Sequence, residues 1–130
     1  MATVAHIALV DDIPDNTDVM TAIVEDICEI ARVTSFNSGI DFLSSFRRGT
    51  FDVIILDLFM PGMSGYTVLK ELRKIDPDVP VIAVSADMGQ RQKALEHGFA
   101  AFLTKPVMDV KSFCNLVSWF IRDSRLKRSA

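Results

Sequence analysis

Four consecutive apolar residues, Val53 to Leu56, run straight into a carboxylate at Asp57, and no other stretch limits the fold of this chain as much. A run that is apolar at every position has no solvent face, so it suits a strand buried on both sides of a parallel sheet. The acid stands where that strand reaches water. Past Phe59, Met60 and Pro61, the run Gly62, Met63, Ser64, Gly65 cannot prolong the strand and reads as a loop feeding a helix at Ser64. A strand that ends in an isolated acid beside a tight loop is a place for a functional site.

The same grammar recurs along the chain. His6 to Val10 is a short apolar run ending at Asp11 and Asp12. After Pro14, Val19, Met20, Ile23, Val24 and Ile27 fall at helical spacing and predict a helix from about Asp15 to Glu29. Arg32 to Phe36 is β-branched and alternating, hence a second strand. Ser38 with Asp41 three residues on resembles a capping box and opens a helix with Ile40, Leu43 and Phe46 inward, closed by Gly49. The strand Asp52 to Leu56 follows, then a helix from Ser64 to Ile75 carrying Val68, Leu69 and Leu72, and Asp76 and Pro77 end it.

Val79 to Val84 is a further buried strand that finishes at Ser85. A weakly amphipathic helix with only Ala94 and Leu95 as clear core residues leads to Gly98, and Ala100 to Leu103 runs into Thr104, Lys105 and Pro106. The last helix, about Asp109 to Arg122, carries Val110, Phe113, Cys114, Val117, Phe120 and Ile121 on one stripe. Trp119 lies opposite that stripe and is expected at the surface. Five alternations of strand and helix imply a three-layer, doubly wound α/β sandwich of flavodoxin-like type, with a parallel five-stranded sheet in the order 2-1-3-4-5. In that order the ligand site lies at the carboxyl ends of strands 1 and 3.

Length and composition set outer bounds. At 130 residues the chain fits one domain with a core of its own. Apolar runs are short and broken by charge, so no membrane span or secretory signal is expected, and the protein is placed in the cytoplasm. Cys28 and Cys114, far apart in sequence and on different predicted helices, are expected to be two buried thiols. A net charge of −3 gives no general attraction to nucleic acid, and no direct nucleic acid binding is expected. Arg122, Arg125, Lys127 and Arg128 make the C-terminus basic, read either as a helix end answering its own dipole or as a linker. The domain is taken as residues 1 to 124, with 125 to 130 as a basic tail or linker. His6 and His97 have no metal-ligand spacing and read as structural or surface residues, and the methionines read as packing.

The predicted sheet gathers Asp11, Asp12, Asp57, Ser85 and Lys105 at one edge. Asp11 and Asp12 alone could simply cap the first helix; joined to Asp57 and Lys105 they read as a site. Three carboxylates so close repel one another unless a cation lies between them, and Mg²⁺ suits the oxygen ligands available, with Mn²⁺ as a substitute. Lys105 adds a mobile positive charge. A metal, a lysine, a hydroxyl and a free carboxylate suit phosphoryl transfer, with Asp57 as nucleophile forming an aspartyl phosphate and Ser85 donating to a phosphoryl oxygen.

With these residues in hand, the chain from His6 to about Asp123 resembles the receiver (CheY-like) domain of bacterial two-component response regulators. The motifs are the acids of LVDD, the acceptor in ILDLFMPGMSG, the hydroxyl and small residue of VSA, and the pair in TKP. By this resemblance Asp57 accepts phosphate from a histidine kinase or histidine phosphotransfer protein. Asp12, Asp57 and the Phe59 carbonyl ligate Mg²⁺, and Asp11 helps through water. Lys105 pairs with the acceptor and then the phosphate, while Ser85 and Phe102 fill the two switch positions. The resemblance implies a phosphorylation-dependent switch rather than a metabolic enzyme, self-catalysing phosphorylation and slow loss of phosphate at Asp57. The Lys105–Pro106 bond is often cis in the family, although sequence alone favours trans.

Phosphate adds charge and acceptor oxygens that Ser85 and Lys105 satisfy in one arrangement only, shifting an existing equilibrium. A full swing requires a bias of about 5.5 kcal/mol. Strand 5 and the helices flanking it should change, giving a surface for a partner, an output domain or a homodimer, with Trp119 in the contact. Phe59 and Asp87 depart from the commonest family pattern and are expected to tune dephosphorylation, and Val107 is smaller than the residue often found there. A haloacid dehalogenase-type phosphatase would carry a second acid where Phe59 stands and would need a cap domain. A flavodoxin-like electron carrier would need a hydroxyl-rich loop where Asp11 and Asp12 would repel the flavin phosphate.

Overall fold

The computed structural model describes residues 4–129. Five strands, β1 (His6–Val10), β2 (Arg32–Phe36), β3 (Val53–Asp57), β4 (Val81–Ser85) and β5 (Ala101–Thr104), pair in parallel in the order β2-β1-β3-β4-β5. The expected fold and strand order are therefore present. β3 and β4 are buried along their whole length because both sheet faces are covered.

Alternation along β3 feeds two cores. Ile54 and Leu56 pack with Phe42, Phe46, Val68, Leu69, Leu72 and Ala94, from the segments α2 (Gly39–Ser45), α3 (Gly65–Ile75) and α4 (Arg91–Glu96). Val53 and Ile55 point the other way, toward Met20 of α1 (Pro14–Ala22) and Phe113, Val117 and Ile121 of α5 (Val110–Ser129). Gly39 lets α2 and α3 approach closely, since a Cβ there would stand 2.5 Å from Val68 Cγ2.

Several boundaries differ from expectation for identifiable reasons. The first helix is not one regular α-helix: α1 passes at Ile23 into a π-helical turn, Ile23–Ile27, in which the Cys28 N–H donates to Ile23 O at 2.7 Å. The wider turn rotates the residues after it relative to those before. Met20, Ile23 and Val24 are buried as expected, but Val19 and Ile27 are exposed. In α2 the inward residues are Phe42 and Phe46, and Ile40 is exposed. That helix stops at Phe46, whose extended ψ of 134° breaks it, and Gly49, at φ 86°, serves the turn beyond rather than the helix end. α4 is preceded by a 3₁₀ turn, Met88–Gln90, and buries Ala94 while Leu95 stays exposed. Met88 and Met108 are also exposed, so packing does not account for them.

The largest difference lies in α5, which continues to Ser129 instead of stopping near Arg122. Residues 125 to 129, expected as a tail or linker, are its last turn. Asp52, buried at the foot of β3, holds that turn: it accepts from Arg125 Nε at 3.1 Å, from the Arg128 guanidinium, and from the His6 N–H at 2.9 Å. Burial pushes the Asp52 pKa up, but the Arg125 and His6 hydrogen bonds and the charges of Arg125 and Arg128 outweigh it and hold the carboxyl below its ordinary range. His6 is structural as expected, with Nε2 2.6 Å from Thr34 Oγ1.

The cysteines correct the expectation of two buried thiols. Cys28 and Cys114 form a disulfide with their Cα atoms 5.7 Å apart, and both residues are half-buried. Separation along the chain concealed their proximity: Cys28 closes the π-helical turn and Cys114 lies one turn into α5, and both segments cover the same sheet face.

Candidate phosphoacceptor site

Asp11 follows β1 and Asp57 ends β3, and the register that pairs Val10 with Leu56 brings their strand ends together. Both acids are buried, while Asp12 is half-buried. One carboxylate oxygen from each of Asp11, Asp12 and Asp57 lies within 4.8 Å of the others. Lys105, just past β5, donates from Nζ to Asp11 Oδ2 and to Asp57 Oδ2, each at 3.0 Å. Four of the five expected site residues thus share one pocket.

Asp11 and Asp57 are held from behind. Asp11 accepts from the Ile13 N–H at 3.0 Å and from Asn16 Nδ2 at 3.3 Å, and Asp57 accepts from the Phe59 N–H at 3.2 Å. Among the described residues no donor reaches the Asp12 carboxylate. Burial raises the Asp57 pKa, and the Lys105 ammonium, although it pulls the other way, does not cancel that effect; Asp11 adds repulsion. Burial alone would lower the Lys105 pKa, but its hydrogen bonds to Asp11 and Asp57 dominate and raise it. An anionic cluster carrying one ammonium group has room in its chemistry for a hard cation. The residues present, three carboxylates with one lacking a donor, fit Mg²⁺.

Ser85 ends β4, is buried, and its Oγ accepts from the Asp87 N–H at 3.0 Å; it makes no hydrogen bond to Asp57. Asp87 faces solvent and caps the 3₁₀ turn, accepting from the Gly89 N–H at 2.9 Å and Gln90 Nε2 at 3.3 Å. Gln90 in turn accepts from the Tyr66 hydroxyl at 2.9 Å, tying this loop to α3. Phe102 stands beside Ala83 and packs half-buried against the α2–α4 core. Phe59 is 53% exposed at the rim and Trp119 is 51% exposed on α5, edge-on to Phe120. The Lys105–Pro106 peptide is cis. A cavity of about 470 Å³ opens beside Asp57 and Lys105, walled by Val19, Met20 and Ile23 on one side and Pro106 and Val107 on the other.

Three contributors escaped the sequence reading. Gly65 is needed because a Cβ there would stand 2.5 Å from Asp57 O and 2.9 Å from Leu58 Cα, so α3 starts against the backbone of Asp57 and Leu58. Its place in the loop was visible, but not this approach. Asn16 carries no signal beyond its position in the first helix. The Asp52–Arg125 pair joins residues 73 apart and had none.

Comparison with known proteins agrees with this geometry. The response regulator receiver domain profile matches residues 7–117. "Response regulator PleD" of Caulobacter vibrioides is 38% identical over 119 residues, which is 88% of this chain and 26% of PleD. The chain therefore spans about a quarter of that relative. The receiver domain of sensor histidine kinase PA1611 from Pseudomonas aeruginosa PAO1, solved with a magnesium ion in its active-site cleft, superposes with a TM-score of 0.79 at 29% identity, covering 92% of this chain and 98% of that one. The chemotaxis protein CheY4 of Vibrio cholerae shares the fold, with a TM-score of 0.79 at 21% identity over 91% of this chain and 99% of its own.

Proposed function

This chain belongs to the response regulator receiver domain family, a family of phosphoacceptor signalling switches, and from that membership we propose that Asp57 is its phosphoacceptor. The observation that carries the assignment is the Lys105 ammonium set between Asp11 and Asp57 at 3.0 Å from each, at the carboxyl edge of a parallel sheet. The donor is a phosphohistidine on a histidine kinase or phosphotransfer protein. The Asp57 carboxylate attacks phosphorus, the P–N bond breaks, and the imidazole departs, leaving an acyl phosphate on the protein.

The chain's own residues prepare that transfer. Burial and the Phe59 N–H fix the Asp57 carboxylate, and Lys105 balances charge as the phosphoryl oxygens arrive. Asp12 and Asp57, with the Phe59 carbonyl and with Asp11 acting through water, would hold Mg²⁺ or Mn²⁺. The ion's chemistry there is to neutralise charge between carboxylate and phosphoryl oxygens. Ser85 exchanges its Asp87 N–H partner for a phosphoryl oxygen and Phe102 moves further inward. The surface that answers is α4, β5 and α5 with Trp119, which contacts a downstream protein, an output domain or a second copy of the chain. No helix among the described residues is long and apolar enough to cross a membrane, and we place the chain in the cytoplasm. The switch unit takes in α5 through its last turn.

The test is incubation with acetyl phosphate and Mg²⁺ followed by intact mass. One phosphoryl group per chain is expected, absent from Asp57→Ala; labelling that survives this substitution would overturn the assignment. Because burial raises the Asp57 pKa in the metal-free site, its carboxyl should titrate above the usual aspartate value of 3.8 when Mg²⁺ is absent, read by carboxyl-carbon NMR.

A further inference from the structure

We propose that Cys28–Cys114 is a thiol–disulfide exchange site, opened by a dithiol reductant, whose state sets how freely α5 moves. The bond joins residues 86 apart and ties the end of the π-helical turn to α5. Neither cysteine lies in the buried core, and Cys28 is flanked by Ile27, at 63% exposure, and by exposed Glu29. Both cysteines are themselves only partly buried, Cys28 at the margin of the core, and disulfides outside a sealed core are the exchangeable ones.

The backbone around Cys28 is shaped for the pairing. One extra residue in a helical turn rotates everything after it by about 100° relative to a regular α-helix. The Ile23–Ile27 turn thus sets the direction in which Cys28 meets Cys114. Immediately after it, Glu29 is the only non-glycine residue with positive φ among the described residues, at 54°. Left-handed backbone at a side chain of this kind is retained where the surroundings impose it, commonly at switch regions.

Position links the bond to the rest of the molecule. The segments it ties lie next to the cavity beside Asp57: Ile23, where the π-helical turn begins, lines one side, and Pro106 and Val107, which lead into α5, line the other. Opening the bond leaves α5 held by packing and, at its far end, by contacts that include Asp52. In the exchange, one thiolate of the reductant attacks a cysteine sulfur, the S–S bond breaks, and the departing cysteine takes a proton. The second thiolate attacks the mixed disulfide and releases the other cysteine as a thiol. The reductant leaves as a disulfide, two electrons and two protons having passed to the protein.

The chain carries a single tryptophan, Trp119, on α5, so its fluorescence reports on that helix. The native chain is equilibrated over a series of reduced to oxidised dithiothreitol ratios, with thiols counted by alkylation and mass, and Trp119 probed by acrylamide quenching. Thiols should appear in pairs in one reversible transition, and the quenching constant should rise roughly twofold with it as local opening of α5 becomes easier. Cys28→Ser and Cys114→Ser should give the reduced value at every ratio. Thiols released only on denaturation, no bond at the oxidising end, or quenching unchanged through the transition would each overturn the proposal. No readout depends on phosphate at Asp57, so Asp57→Ala should respond in the same way.

Discussion

Phe59 and Lys105 show how single side chains set the behaviour of the pocket. Phe59 stands at the rim, largely exposed, with its N–H donated inward to Asp57 and its ring outward. With Asp57 phosphorylated as proposed, an apolar ring there is expected to hinder a hydrolytic water from lining up behind the phosphoryl group. Phe59→Asn should speed phosphoryl loss about tenfold, equivalent to about 1.4 kcal/mol of barrier, measured as decay of the labelled protein. Removing Lys105 leaves Asp11 and Asp57 facing each other without their shared cation. Lys105→Ala should lower stability without Mg²⁺ by about 1 to 3 kcal/mol in urea melts, and added Mg²⁺ should recover much of it. The pH signs follow from the directions of shift. Asp57, raised, makes stability fall as pH rises from 3.8 through its folded value. Lys105, also raised, stabilises below 10.5, and its contribution is lost as pH rises through its folded value.

At the scale of elements, the loop after β3 and the last turn of α5 are the sensitive joints. Gly65→Ala would drive a Cβ into the Asp57 carbonyl, and since the obstacle is backbone, the start of α3 must shift. A loss of about 1 to 3 kcal/mol in denaturant melts is expected, together with weakened labelling of Asp57. Asp52 holds α5 through Arg125 and Arg128, whose own side chains are partly exposed, so solvent screens the pairing. Asp52→Asn should therefore cost about 2 kcal/mol near neutral pH rather than the larger value of a fully buried pair. Its folded pKa is lowered, so the stabilisation is present above 3.8 and lost as pH falls through the folded value. Acid unfolding monitored by circular dichroism should show a shallower slope in Asp52→Asn.

For the whole molecule, five alternating strands and helices and the polar residues at the ends of strands 1, 3, 4 and 5 were legible, because a parallel sheet repeats one pattern of strand, loop and helix. Asp11, Asp12, Asp57 and Lys105 were found for that reason. What escaped depends on contacts between distant segments. The π-helical turn changes the phase of a stripe that looks regular and leaves Ile27 exposed, while Val19, ahead of the turn, lies beside the buried Met20 on the exposed side of α1. The extension of α5 follows from Asp52 receiving Arg125 and Arg128, and the disulfide from two helices sharing one face. None of these leaves a periodic mark. Closing a loop of 86 residues restricts the unfolded chain strongly, so Cys28→Ser should lose about 2 to 4 kcal/mol relative to the oxidised parent in urea melts.

Strand β3 begins just after Asp52 and ends at Asp57, so the anchor for α5 and the Asp57 carboxylate sit about 17 Å apart along one five-residue rod. At that distance, with no shared partner, their energies should simply add: Asp52→Asn and Lys105→Ala together should cost the sum of the two to within about 0.5 kcal/mol. Divergence at one end of the rod thus leaves the other undisturbed, and the grip on a helix can be retuned generation by generation while the reacting end keeps its chemistry.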